Sequence, residues 1–129
     1  MSGDKLRTPL ARVRGLGSAK SGTEHFWRQR VTAVANVPLT IAFVVIVVSL
    51  LGRNHATVVG TLGSPLVAML MLLFIGSVTY HMHIGMQVII EDYVHGHVTK
   101  LALIMLNTFF TIAVGLAAAY AILKLSFGL

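Results

Sequence analysis

The chain has 129 residues, of which 56% are hydrophobic and only 11% charged, and its mean hydropathy is +0.83. Soluble domains carry about 25% charged residues, so the composition reads as an integral membrane protein, in one domain too small to hold three spans and a large catalytic core as well. There is no cysteine, which excludes disulfides, iron–sulfur ligation and thiol catalysis by this chain alone.

The net charge of +6 is concentrated at the start. Residues 1–30 carry Lys5, Arg7, Arg12, Arg14, Lys20, Arg28 and Arg30 against Asp4 and Glu24. A basic arm of this kind can bind nucleic acid, but directly before an apolar segment it fits the positive-inside rule and contact with anionic lipid better, so no nucleic-acid partner is expected. Residues 1–20, with Gly3, Pro9, Gly15 and Gly17 among basic side chains, read as a flexible arm. Residues 21–30 place Phe26 and Trp27 among polar groups, as at a membrane interface, and Ser21 or Thr23 can cap a helix start.

Val31 to Leu51 is the first predicted span, about 21 residues and enough for roughly 30 Å of hydrocarbon. Asn36 and Pro38 interrupt its first turns, and Ile41–Leu51 is aliphatic and expected to face lipid. Residues 57–64 read as a short mixed loop, after which Pro65 suits the first position of a new helix. The second span runs from Pro65 to about Ile90, long enough to tilt or to emerge at one end with Glu91, Asp92 and Tyr93. Val94-His95-Gly96-His97 is a turn, and the third span covers roughly Leu101 to Leu125, with Gly115-Leu116-Ala117-Ala118-Ala119 permitting close helix approach. The expected architecture is an all-α membrane protein: a basic arm and interfacial segment (1–30), then a three-helix membrane domain (31–129). Seven basic residues before the first span against Arg53 alone between the first two put the N-terminus inside and the C-terminus outside.

The polar residues of the second span carry the chemistry. On a helix turning about 100° per residue, Ser77, Gly85, Val88 and Asp92 lie within about 40° of His81, whereas His83 lies near 200°, on the opposite side. Ionisable groups in a span are costly and mark protein interiors or sites. A lone histidine can serve as a hydrogen-bonder to a neighbouring helix, as a proton relay, or as a haem ligand. The small residues one turn either side of His81 leave room for a flat macrocycle, and Met82, Met86 and the aliphatics form a dry wall. A proton path would instead show several ionisable groups along one face. His83 points away, and His25, His55, His95 and His97 lie near span ends, so a second axial ligand has to come from another chain. Two histidines two residues apart on a helix diverge, which disfavours zinc.

Asp92 and Tyr93 lie roughly 18 Å along the helix from His81. Each is an ordinary interfacial residue taken alone; paired, a phenol can donate to a quinone carbonyl while the carboxylate orients it or carries protons. Arg30, at the inner end of the first span, can snorkel or pair bidentately with haem propionates.

His81-x3-Gly85-Met86-x5-Asp92-Tyr93, three spans, and Gly22-x7-Arg30-x-Thr32-Ala33 before the first of them resemble the hydrophobic membrane anchor subunits of succinate dehydrogenase, the D subunits of respiratory complex II. The similarity covers roughly Gly22 to the C-terminus. It implies a partner three-helix cytochrome b556-type subunit that shares one haem b with this chain, His81 supplying one axial ligand and Arg30 approaching the propionates. It further implies that Tyr93, with Asp92, contacts ubiquinone, and that a flavoprotein subunit oxidises succinate while an iron–sulfur subunit carries the electrons to the quinone. The similarity begins soon after Met1 without a long presequence, which points to a bacterial inner membrane rather than a mitochondrial one. Two other readings stand beside it: a haem-free membrane scaffold or proton-conducting protein, in which His81 is structural, and the anchor of a fumarate reductase.

Overall fold

The computed structural model describes residues 8–15, 17 and 21–128, and the described residues are helical apart from short connections. Five helices follow in order: α1 (Pro9–Val13), α2 (Ser21–Ser49), α3 (His55–Gly63), α4 (Pro65–Tyr93) and α5 (His97–Phe127). Three of them, over Gly22–Ser49, Pro65–Tyr93 and His97–Phe127, are long and apolar enough to cross a membrane. A backbone in hydrocarbon has no water to bond, so long helices satisfy its N–H and C=O groups internally.

Within residues 1–20, expected to form a flexible arm, the structure describes one short helix. Thr8 caps α1 by accepting from the Ala11 N–H at 3.2 Å, and Pro9 opens the helix. The remainder of that arm, residues 1–7, 16 and 18–20, lies outside the described residues. α2 begins at Ser21 rather than Val31, so the interfacial segment and the first span are one helix, and Pro38 lies inside it.

The loop expected over 57–64 is also corrected. Asn54 accepts from the Thr57 N–H at 2.9 Å and starts α3, the usual role of an Asn N-cap. The last residue of α3, Gly63, leaves no room for a side chain: a Cβ there would stand 2.7 Å from the backbone O of Leu125 in α5. Ser64 turns to an extended backbone (ψ 142°) and Pro65 takes the first position of α4. α5 ends at Gly128 in the left-handed region, φ 69°, the conformation that glycine adopts at no steric cost.

α4 is the middle helix. It packs against α2 on one side and α5 on the other, α3 rests on α5 and α4, and among the described residues α2 and α5 do not meet. α2 and α4 run antiparallel, joined by the stacked rings of Phe43 and Phe74, 4.6 Å apart and 13° from parallel. α5 approaches α4 closely at Gly115, where a Cβ would sit 3.1 Å from Thr79 Cγ2. The buried core is small, centred on Ala68, Met71 and Ile122. Val34, Ile41, Val45 and Val48 of α2 are exposed, as hydrocarbon solvent allows: between membrane helices, packing and hydrogen bonds rather than water exclusion hold the contacts.

Candidate functional site

The polar side chains of α4 divide between its two neighbours. His81 is half-buried and turned to α2, where its Nδ1 lies 3.0 Å from Thr32 Oγ1. The Thr32 hydroxyl also lies 2.8 Å from the Arg28 carbonyl and 3.0 Å from the Gln29 carbonyl, to which it donates. Ser77 Oγ, one turn before His81, is 3.5 Å from the Thr32 carbonyl. Gln29, Arg30, Ala33 and His81 line a cleft of about 320 Å³. The structure therefore brings two of the expected site residues, His81 and Arg30, into one cleft. Arg30 is exposed, with its guanidinium carbon 4.7 Å from the centre of the Phe26 ring, a cation–π distance.

His83 is half-buried on the opposite side, at α5. Asn107 Nδ2 donates to the His83 carbonyl at 3.0 Å and stands 3.2 Å from His83 Nδ1. Thr111 Oγ1 is 3.4 Å from the same nitrogen and donates to the Asn107 carbonyl at 2.8 Å. Asn107 and Thr111 are buried. These bonds satisfy polar groups that would otherwise be costly at this depth, and they engage the Nδ1 side of His83 inside the chain. A larger apolar groove of about 500 Å³ runs along the α4–α5 seam, past Gly76, Thr79, Tyr80, His83 and Gly115.

Asp92 and Tyr93 are not brought to His81. They complete the last turn of α4, both exposed and neither side chain hydrogen-bonded among the described residues; Tyr93 is 77% exposed. The turn that follows is tied down by Lys100, whose Nζ donates to the Glu91 carbonyl at 2.8 Å, a cation at a helix C-terminus where the dipole favours it. Gln87 donates to the Glu91 carboxylate at 2.8 Å, so Glu91 is engaged and Asp92 is left open. No group of three or more His, Cys, Asp or Glu side chains among the described residues could hold a metal ion.

Four partners of this region escaped the sequence reading. Thr32 entered only as part of a motif, without a role. Asn107 and Thr111 are polar residues of the third span whose partner, His83, no local spacing specifies. Arg28 donates to the Tyr80 hydroxyl at 3.2 Å and pairs with Glu24, joining α2 to α4 one residue before His81. The signal for Thr32 was present: Gln29, Thr32, Ala33 and Asn36 form one stripe of small or polar residues at helical spacing on an otherwise apolar helix.

Comparison with known proteins places this arrangement. The family model for the succinate dehydrogenase/fumarate reductase transmembrane subunit matches residues 4–121. The chain is 35% identical over 121 residues to a succinate dehydrogenase hydrophobic membrane anchor subunit from Paracoccus denitrificans, covering 94% of this chain and 93% of that one. It is 28% identical over 107 residues to the protein of the same description from Rickettsia bellii, 83% and 86% covered, and 37% identical over 90 residues to a succinate dehydrogenase membrane anchor subunit from Reclinomonas americana, 67% and 75% covered. No solved structure matches the chain at a significant level. With a family model spanning most of its length and a relative of this identity matched nearly end to end, the chain belongs to the succinate dehydrogenase/fumarate reductase transmembrane subunit family, as a multi-pass membrane anchor that is not itself catalytic.

Proposed function

We propose that the chain docks the flavoprotein and iron–sulfur subunits of a succinate:quinone oxidoreductase at the membrane, pairs with a cytochrome b556-type subunit, shares a haem b with it, and forms part of the ubiquinone reduction site. The observation that carries the reading is the shared cleft of His81 and Arg30 on the α2–α4 face. The residues present suit a haem. His81 offers an imidazole for iron and Arg30 a guanidinium for propionates. At Gly85, one turn on, an added Cβ would meet nothing within 4 Å, so a flat group can approach the helix. A bound haem supplies one-electron redox capacity. A haem held by His81 would take its other protein ligand from the partner subunit, because the other described histidine of α4, His83, is held against α5.

Tyr93 and Asp92 form the quinone-facing part. The Tyr93 phenol donates to a quinone carbonyl, and the Asp92 carboxylate orients it or relays protons as the quinone takes up two electrons and two protons. The electrons arrive from the iron–sulfur subunit, since this chain contains no cysteine to hold a cluster. The topology that fits is N-terminus inside and C-terminus outside, which sets Tyr93 at the inner rim beside the docked subunits. The bacterial relatives favour a bacterial inner membrane. A fumarate reductase anchor would use the same parts in reverse, and the family description covers both directions.

The test is a reduced-minus-oxidised spectrum of the purified complex together with its co-purifying subunits. A b-type band that survives His83→Ala and is lost or displaced in His81→Ala supports the assignment. A complex without haem or flavoprotein refutes it in favour of the haem-free scaffold.

A further inference from the structure

Thr32 occupies a position that the family assignment leaves without a role. Its single hydroxyl proton has acceptors on its own helix, the Arg28 and Gln29 carbonyls at 2.8 and 3.0 Å, in the back-bonding usual for a threonine within a membrane helix. With that proton committed, the Thr32 oxygen can only accept from its third neighbour, His81 Nδ1 at 3.0 Å. Nδ1 therefore carries the imidazole proton, and Nε2 is left with its lone pair. We propose that Thr32 is a positioning residue for His81: its hydroxyl sets the Nδ1–H tautomer and the ring angle, so that Nε2 is presented ready to coordinate iron.

The physical reason is general. A ligating histidine coordinates through one ring nitrogen, and the bond made by the other fixes tautomer and orientation and raises ligand basicity. In water either tautomer is accessible and solvent supplies the partner. At half-burial between two apolar helices the partner has to be built in. Thr32 is the only hydrogen-bond partner of the His81 ring among the described residues. His83, on the opposite side of the same helix, is bonded within the chain instead: Asn107 Nδ2 lies 3.2 Å and Thr111 Oγ1 3.4 Å from its Nδ1, and Asn107 donates to its carbonyl.

The inference rests on the haem reading of His81, and its test separates the two. The whole complex is purified with Thr32→Val, Thr32→Ala or Thr32→Ser, and with His81→Ala as reference, and the haem midpoint potential, low-spin EPR signal and haem-to-flavin ratio are measured. Loss of the acceptor in Thr32→Val and Thr32→Ala weakens haem retention by about tenfold in affinity. It also raises the midpoint potential, because a less basic imidazole stabilises the ferric state less, and it shifts the EPR signal. Thr32→Ser restores all three. Unchanged potential and EPR in Thr32→Val and Thr32→Ala, with His81→Ala still losing or displacing the haem, overturn the role of Thr32 and leave the haem reading intact. An undisturbed haem in His81→Ala refutes both. If Thr32→Val and Thr32→Ala both lose membrane-bound flavin, Thr32 is an assembly residue and the positioning role is overturned.

Discussion

His81 and His83 stand two residues apart on α4, yet their Nδ1 atoms meet different helices: His81 at Thr32 of α2, 3.0 Å away, and His83 at Asn107 of α5, 3.2 Å away. The divergence follows from about 100° of turn per residue. Its consequence is a division of labour. His81 borders a cleft with Arg30, whereas His83 is bonded at the α4–α5 seam to two buried partners, Asn107 and Thr111.

The seam gives the first prediction. Asn107→Leu removes the donor to the His83 carbonyl and the neighbour of His83 Nδ1, and destabilises the α4–α5 contact by on the order of 1 kcal/mol, the scale of interhelical hydrogen bonds in membranes. The thermal midpoint of the complex in detergent falls while the haem spectrum keeps its position. A displaced haem band with unchanged melting would reverse the roles given to the two histidines.

For Tyr93, exposed and without a hydrogen bond among the described residues, Tyr93→Phe removes a donor without disturbing the fold. Loss of one hydrogen bond to substrate, about 1 kcal/mol, slows quinone reduction roughly fivefold. Succinate-driven reduction of an artificial dye, which bypasses the membrane site, stays close to the parent rate. Equal loss in both assays counts against a quinone role.

Arg30→Lys keeps the charge but not the planar fork. If the guanidinium grips propionates, haem retention follows the order Arg30, then Arg30→Lys, then Arg30→Ala, because bidentate pairing is lost before charge is. Haem-to-flavin ratios of the three purified complexes check the order; equal ratios would leave Arg30 only its place over the Phe26 ring.

Two glycines of α3 separate packing from propensity. Gly63→Ala drives a Cβ to 2.7 Å from the Leu125 carbonyl oxygen, a backbone atom that cannot swing aside, and the strain of overpacking costs about 1–3 kcal/mol. Gly60→Ala meets nothing within 4 Å and gains helix propensity, so it is neutral or stabilising by up to about 1 kcal/mol. Melting of the two variants in the assembled complex measures the difference, and a Gly63→Ala protein as stable as the parent would show that α3 is free to move off α5.

The chain's own order of residues determined the three long apolar helices, because a buried backbone in lipid has to bond within its own segment, and it determined that His81 and His83 diverge, because helical turn is local. The pairings were decided by tertiary structure. Thr32 lies 49 residues from His81 in sequence, Asn107 lies 24 from His83, and no local period specifies which neighbouring helix receives each face. The same holds for α3: residues 57–64 carry two glycines and read as a loop, but the Asn54 cap and the fit of Gly63 against Leu125 make a helix of them. It holds for the start of α2 as well, where polar residues before Val31 extend the helix to Ser21 instead of ending it at the apolar boundary. Hydropathy records where a chain enters lipid; close approach of two backbones and the satisfaction of single polar atoms arise only when distant segments are packed together.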